Sequence, residues 1–291
     1  MRVILVAFLL IFCYNHRYLK IMTKMANRKK IGLALGSGGF RGFAHIGVIQ
    51  VLLENKIPID FISGASIGAL AAAYYALHGE INGLEEKVLN QKKSRIIGLS
   101  DFGFRGGLVS GRKYQLIIET LLGSRTFNEI KIPLRIIATN LGSGEAFVFS
   151  SGKLSLAVRA SSSVPLVFEP VAYHGARFID GALSSPVPAD ILKQLGADEV
   201  IAVNLYHKNE FIEKRFTFTK VALRSTRIAL YNLAQVSVKS AGAVINPDTS
   251  RYVDSTRITE YFDQKKIAAL VAIGRKAAEK QLPAIKKLLA L

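Results

Sequence analysis

Ser66 stands in Gly64-Ala65-Ser66-Ile67-Gly68, a G-x-S-x-G spacing. Where a strand turns sharply into a helix, that spacing can present a serine hydroxyl as a nucleophile. Gly64 and Gly68, with Ala65 and Ala69 beside them, remove the bulk that would hold strand and helix apart. The helix N-terminus then offers free N–H groups and a positive dipole end to an oxyanion formed there. The same five residues also read as an ordinary Gly/Ser turn, so the chemistry depends on context. A second stretch, Gly36-Ser37-Gly38-Gly39-Phe40-Arg41-Gly42, has the backbone freedom to turn amides towards a substrate oxygen. It lacks the G-x-x-x-x-G-K-[ST] spacing, and counted from Gly36 it is not G-x-G-x-x-G either, so an oxyanion loop is preferred to a phosphate cradle. Arg41 is expected to hold that loop or attract a phosphate. Asp180-Gly181-Ala182 places an acid at a strand end, although Asp-Gly is also the commonest turn chemistry.

These residues need elements to position them. Ile59 to Ile62 reads as a short buried strand leading into the serine turn, and Ala69 to Leu77 as a helix closed by Gly79. Lys29 to Leu35 reads as the strand entering the glycine loop, and Phe43 to Asn55 has apolar residues at helical spacing after it. Further on, Gly111 to Gly123 is a helix candidate, and Leu134 to Asn140 and Ala146 to Ser150 are strands around a Gly142–Glu145 turn. Val158 to Pro170 is expected to hold a short helix stopped by Pro165. Val171 to Tyr173 and Arg177 to Ile179 suggest a hairpin around His174-Gly175. Val200 to Leu205 reads as a buried strand and Ile228 to Ala243 as a helix. Asp263 to Leu291 reads as a basic helical segment interrupted at Pro283. Its apolar positions fit a helix packed on the sheet with a solvated basic side, with membrane-surface attachment as the other reading. Phe102 to Leu108 is a candidate lid or acyl-groove wall, or a solvated loop.

Composition bounds the function classes. The chain of 291 residues is 50% hydrophobic and 21% charged, a globular rather than a disordered balance. A single cysteine, Cys13, excludes an internal disulfide and a cysteine-based metal site. The formal charge of +18 points to an anionic partner, a membrane surface or nucleic acid. Residues 1–24 look unlike the rest: an uncharged run from Val3 to Tyr14 lies between Arg2 and Arg17. That run is short for a membrane span but suits a signal-peptide core, although no small-x-small cleavage site follows it. Met22 and Met25 offer a start further on. The organisation expected is therefore an apolar N-terminal segment over 1–24, either signal, anchor or mis-assigned start, and one domain over 25–291. Removing residues 1–24 takes away Arg2, Arg17, Lys20 and Lys24 and no acid, so +14 of the charge belongs to the body.

The glycine loop at Gly36 to Gly42, the Gly64–Gly68 elbow and Asp180-Gly181-Ala182 follow one another in an order that resembles the bacterial patatin-like phospholipases. That family also includes the esterase domain of neuropathy target esterase. Supporting matches are Gly107 to Gly111, Arg125-Thr126-Phe127, Ile137 to Asn140 with Gly144-Glu145, and Ser161 to Pro165. The resemblance runs from about Lys29 to about Ala277. Ser37 departs from it where plant-type patatins have another glycine, and Asn140 where an aspartate is often found; Ser37 leaves open which amides form the oxyanion hole.

The resemblance implies a three-layer α/β/α sandwich around a mainly parallel sheet, and a Ser–Asp pair working without histidine. Ser66 would be the nucleophile and Asp180 the general base, with the amides of Gly38 and Gly39 as oxyanion donors. Gly36, Arg41, Gly42, Gly64, Gly68 and Gly181 would support the motifs. No metal or cofactor is implied. An aspartate at its ordinary pKa of about 3.9 is a weak base, and a partly buried site would raise it. A Ser-His-Asp triad is the rival. His45 reads as a packing or capping residue and His78 as a helix end favoured by the dipole. His174 is the one histidine near enough in sequence to Asp180 to reach the site, and His16 and His207 read as incidental. The function expected is a serine acyl hydrolase acting on phospholipid or lysophospholipid, cytoplasmic or peripherally membrane-associated. The alternative is a non-catalytic adaptor that keeps the fold. Nucleic acid is not an expected partner, since no helix-turn-helix, zinc or stacking motif accompanies the charge.

Overall fold

The computed structural model describes residues 28–90, 107–211, 218–253 and 263–290. Its centre is β1 (Ile31–Leu35), five apolar or glycine residues buried on both faces, as a parallel strand covered by helices requires. Parallel partners lie on either side: β2 (Phe61–Ala65) on one edge and β9 (Glu199–Val203) on the other, with β10 (Ala243–Ile245) beyond β9. β4 (Leu134–Asn140) continues the parallel order past β2. The far edge turns antiparallel through β5 (Ala146–Phe149), β7 (Val171–Tyr173) and β8 (Ala176–Asp180). Neighbouring strands pair in the sequence β10-β9-β1-β2-β4-β8-β7, and β5 also pairs with β4.

Alternation along the strands separates two cores. Leu33, Leu35, Ile201 and Val203 join the larger one. It is covered by α1 (Ala44–Glu54), α2 (Ile67–His78), α4 (Arg112–Leu122), α5 (Leu154–Ser161) and α8 (Gln264–Leu289), with the short α3 (Leu84–Leu89) at its side. Ala34, Val200 and Ala202 face the other way, towards α6 (Asp190–Gln194) and α7 (Phe218–Ser237). This is the three-layer α/β/α sandwich with a mainly parallel sheet. Gly79 closes α2 in the left-handed conformation, φ 75°, donating its N–H to Tyr75 O at 2.8 Å.

Several boundaries differ from the sequence reading. The elbow strand runs to Ala65, and α2 starts directly at Ile67. The helix expected within 158–170 is α5, ending at Ser161 before the proline; Pro165 instead precedes β6 (Leu166–Phe168), which pairs with β3 (Gly107–Val109). α7 begins upstream of Ile228 and ends at Ser237, because Ala243 is needed in the sheet as the start of β10. The helix α8 continues through Pro283, since Ala278, Ile285 and Leu289 stay buried on one face across it. Packing thus outweighs the lost hydrogen bond. Gly274 lies against Ala44 and Gly47 against Val271, so close that a Cβ at either glycine would stand 2.0 Å from a backbone oxygen. Residues 1–24, including Cys13 and His16, and most of the proposed lid at 102–108 lie outside the described residues.

Candidate active site

β2 delivers the chain to Ser66 in a strained conformation, φ 54° and ψ −123°, that a non-glycine residue rarely adopts. The glycines around it are required by contact. A Cβ on Gly64 would lie 2.4 Å from Gly68 O, and one on Gly68 would lie 2.2 Å from Leu35 O. The N–H of Ser66 is fixed by Ser161 Oγ at 2.8 Å, and that hydroxyl donates in turn to Ile137 O at 2.5 Å. Ser66 Oγ donates to Asp180 Oδ2 at 2.7 Å. Both residues are almost fully buried.

Asp180 ends β8 and caps the following 3₁₀ turn, its Oδ1 accepting the N–H of Ala182 at 2.8 Å. Its own N–H goes to Ser163 O at 3.0 Å and its carbonyl accepts Thr139 Oγ1 at 2.8 Å. Burial pushes its pKa up from 3.8 to about 6, against the lowering effect of the bonds from Ala182 and Ser66. Gly181 has no alternative, since a Cβ there would meet Ile137 O at 2.1 Å.

The glycine loop is held on every side. Gly36 N–H bonds Val203 O at 3.0 Å and Ser37 N–H bonds Pro186 O at 2.8 Å, which leaves those two amides occupied. Ser37 Oγ pairs with Tyr206 OH at 2.8 Å. Gly42 sits so tightly on Ile67, the residue after the serine, that a Cβ would lie 2.2 Å from its side chain. Arg41 is buried and donates from Nε to Gly38 O at 3.1 Å, from Nη1 to Leu205 O at 3.0 Å, and to Glu210. Its guanidinium also lies over the Tyr206 ring at 5.3 Å. Of the two readings of Arg41, the structure favours the one that holds the loop. Among the described residues there are no cis peptides, so in the trans Gly38–Gly39 unit the N–H of Gly39 points opposite to the carbonyl that Arg41 captures. Gly39 takes a left-handed φ of 58° and opens a 3₁₀ turn, Gly39–Phe43. No acceptor among the described residues takes the N–H of Gly38 or Gly39.

The histidines stand elsewhere. His45 is buried with Nε2 against Gly36 O at 2.7 Å, and burial holds its pKa down at about 4, so it braces the loop as a neutral ring. His78 ends α2 as expected. Its burial and the nearby Lys87 lower its pKa, contrary to the expected help from the helix dipole, and its ring packs on Tyr74 at 4.4 Å. His174 is exposed in the hairpin turn at the opposite end of β8 from Asp180, stacked edge-on against Tyr173. Six residue steps along a strand put it about 20 Å away, so the histidine that the rival triad would need stands away from the site. His207 Nδ1 accepts from Asn209 N at 3.2 Å. Ser161, Tyr206 and Glu210 are not individually legible from the sequence: Ser161 lies within the Ser161–Pro165 match, and the other two carry no local signal. Among the described residues there is no cluster of acidic, histidine or cysteine side chains suited to a metal ion.

Residues 33–193 match the family model described as patatin-like phospholipase. The chain belongs to the patatin-like phospholipase family. An uncharacterized NTE family protein of Mycobacterium tuberculosis is 33% identical over 177 residues, covering 60% of this chain and 49% of that protein. Neuropathy target esterase sws of Drosophila melanogaster is 30% identical over 181 residues, 60% of this chain and 13% of the relative. Lysophospholipase NTE1 of Pyricularia oryzae is 30% identical over 181 residues, 61% of this chain and 12% of that protein. The chain thus matches about half the length of the mycobacterial relative and a small part of the others. Among solved structures, VipD of Legionella pneumophila aligns with a TM-score of 0.44 at 14% identity, over 84% of this chain and 67% of that one.

Proposed function

We propose that the protein is a serine acyl hydrolase of phospholipids or lysophospholipids, with Ser66 and Asp180 as a two-residue catalytic unit. The observation that supports this reading is the 2.7 Å hydrogen bond from Ser66 Oγ to a buried carboxylate with a raised pKa. Ser66 Oγ attacks the ester carbonyl as Asp180 Oδ2 takes its proton; the C–O bond to the lipid alcohol then breaks and Asp180 returns the proton to that alcohol. Water, deprotonated by the same carboxylate, attacks the acyl-enzyme carbonyl; the C–O bond to Ser66 Oγ breaks, Asp180 returns the proton to that oxygen, and the fatty acid leaves. The tetrahedral oxyanion of each step is received by the N–H groups of Gly38 and Gly39, which have no acceptor among the described residues. A pKa near 6 makes Asp180 a stronger base than an ordinary aspartate while leaving it ionised at neutral pH.

A relative named lysophospholipase supports the substrate class. The experiment is labelling of the purified protein by a fluorophosphonate probe, with the adduct mapped to Ser66, followed by lipid profiling for released fatty acid. Labelling that persists in Ser66→Ala, or no fatty acid from any phospholipid or lysophospholipid, would count against the reading. In the second case the fold would be serving a non-catalytic role.

A further inference from the structure

Val164, Pro165, Leu166 and Val167 form an apolar turn turned out to water. Leu166 is 76% exposed, with Val167 at 43% and Val164 at 40%. Single exposed hydrophobic residues need no explanation; four in succession, all outward, do. Leu166 also adopts a left-handed φ of 68°, which is unfavourable for a bulky side chain. Folding therefore accepts two penalties at one residue.

The turn is held firmly rather than left loose. Val164 O accepts the N–H groups of Val167 at 3.2 Å and Phe168 at 2.9 Å. The buried Arg159 ties its root, donating to Ser163 Oγ at 2.6 Å, Gly111 O at 3.3 Å and Glu169 O at 3.3 Å, with Phe168 stacked beneath its guanidinium. The same short segment reaches the candidate catalytic pair. Ser161 Oγ holds Ser66 N–H, and Ser163 O holds Asp180 N–H. Val164 is the next residue. An exposed cation stands at the root too: Arg112 follows Gly111, whose carbonyl Arg159 grips.

We propose that this turn is the surface through which the protein docks on anionic phospholipid, with Leu166 and its neighbours entering the acyl region and Arg112 meeting phosphates. A lipid surface matches each part: apolar side chains for the chain region, a cation at headgroup level, and a direct backbone path to the serine that would cleave a lipid ester. The choice of lipid rests on the hydrolase reading; the docking itself does not require turnover.

The chain contains no tryptophan, so Leu166→Trp introduces a single reporter. With vesicles of mixed phosphatidylcholine and phosphatidylglycerol its emission should shift to the blue and be quenched by bromine-labelled acyl chains. Val236→Trp, an exposed apolar position on α7, should do neither. Val167→Trp repeats the test if the first variant folds poorly. In parallel, Leu166→Asp should lose activity on vesicles at least several-fold more than on a soluble short-chain ester. Vesicles that sediment the protein without altering the Leu166→Trp spectrum would overturn the proposal by assigning docking to another face. A blue shift that follows protein concentration without lipid would also overturn it, in favour of a second copy covering the turn. Insertion without any lipid hydrolysis would support the docking surface while removing the hydrolase reading.

Discussion

Ile137 and Ala138 are neighbours on β4, and on one edge of that strand the first is paired with Ala65 and the second with Asp180. The opposite edge is filled by β5, through Val148 and Phe147. A strand residue has only two edges, so β2 and β8 must meet end to end along the same side of β4. Ser66 follows the end of one and Asp180 ends the other. Two residues 114 positions apart are thereby brought within a hydrogen bond by two consecutive residues of a third strand.

Ser161 locks this meeting point, joining Ser66 N–H to Ile137 O. Ser161→Ala should cost about 1–3 kcal/mol, because it leaves a buried donor and a buried acceptor unpaired. It should also lower kcat more than it raises KM, since the proposed nucleophile and not a lipid contact is released. Thermal unfolding and steady-state kinetics on a soluble ester check both.

With Asp180 as the proposed base, its titration sets the pH dependence. The base must be ionised, so kcat/KM should rise with pH through about 6 and level off above it. Stability runs the other way. The folded pKa is raised, so the folded state binds the proton more tightly, and stability falls as pH climbs from about 4 to about 6. Asp180→Asn should remove that penalty, unfolding later than the parent at pH 8 by up to roughly 3 kcal/mol, with the gain vanishing below pH 4. Thermal melts across this range test the sign.

Arg41 orients the Gly38–Gly39 peptide from within the protein, out of reach of a headgroup. Arg41→Lys should therefore lower kcat by about 10-fold or more, approaching the ~100–1000-fold typical of losing an oxyanion donor, with KM little changed. A raised KM at constant kcat would restore the phosphate-attracting role. Glu210→Ala should be worse for the fold than for chemistry, since it strands a buried guanidinium at a cost of about 3–5 kcal/mol.

What was legible in the sequence follows from how local each requirement is. The elbow could be read because a tight strand-to-helix turn needs small residues at fixed offsets, and Gly64 and Gly68 supply them. The hairpin around His174-Gly175 and the strand Leu134–Asn140 were equally local. Asp180 was ambiguous by itself, because Asp-Gly serves turns and strand ends alike; only its place in a longer order suggested more. Ser161 acts on Ser66 from 95 positions away and Glu210 on Arg41 from 169, contacts without periodicity or spacing to betray them. Pro283 misled for a related reason: the local rule breaks a helix there, while burial on α1 and the sheet holds it together.

The Ser66–Asp180 unit is tested most directly by the kcat for p-nitrophenyl butyrate of Ser66→Ala, Asp180→Asn and the double variant, each with its melting temperature. If the two residues act as one unit, either change alone should abolish most turnover in a folded protein, and the double variant should be hardly worse than the singles. A folded Asp180→Asn that keeps half its activity, beside a His174→Ala as inactive as Ser66→Ala, would contradict it.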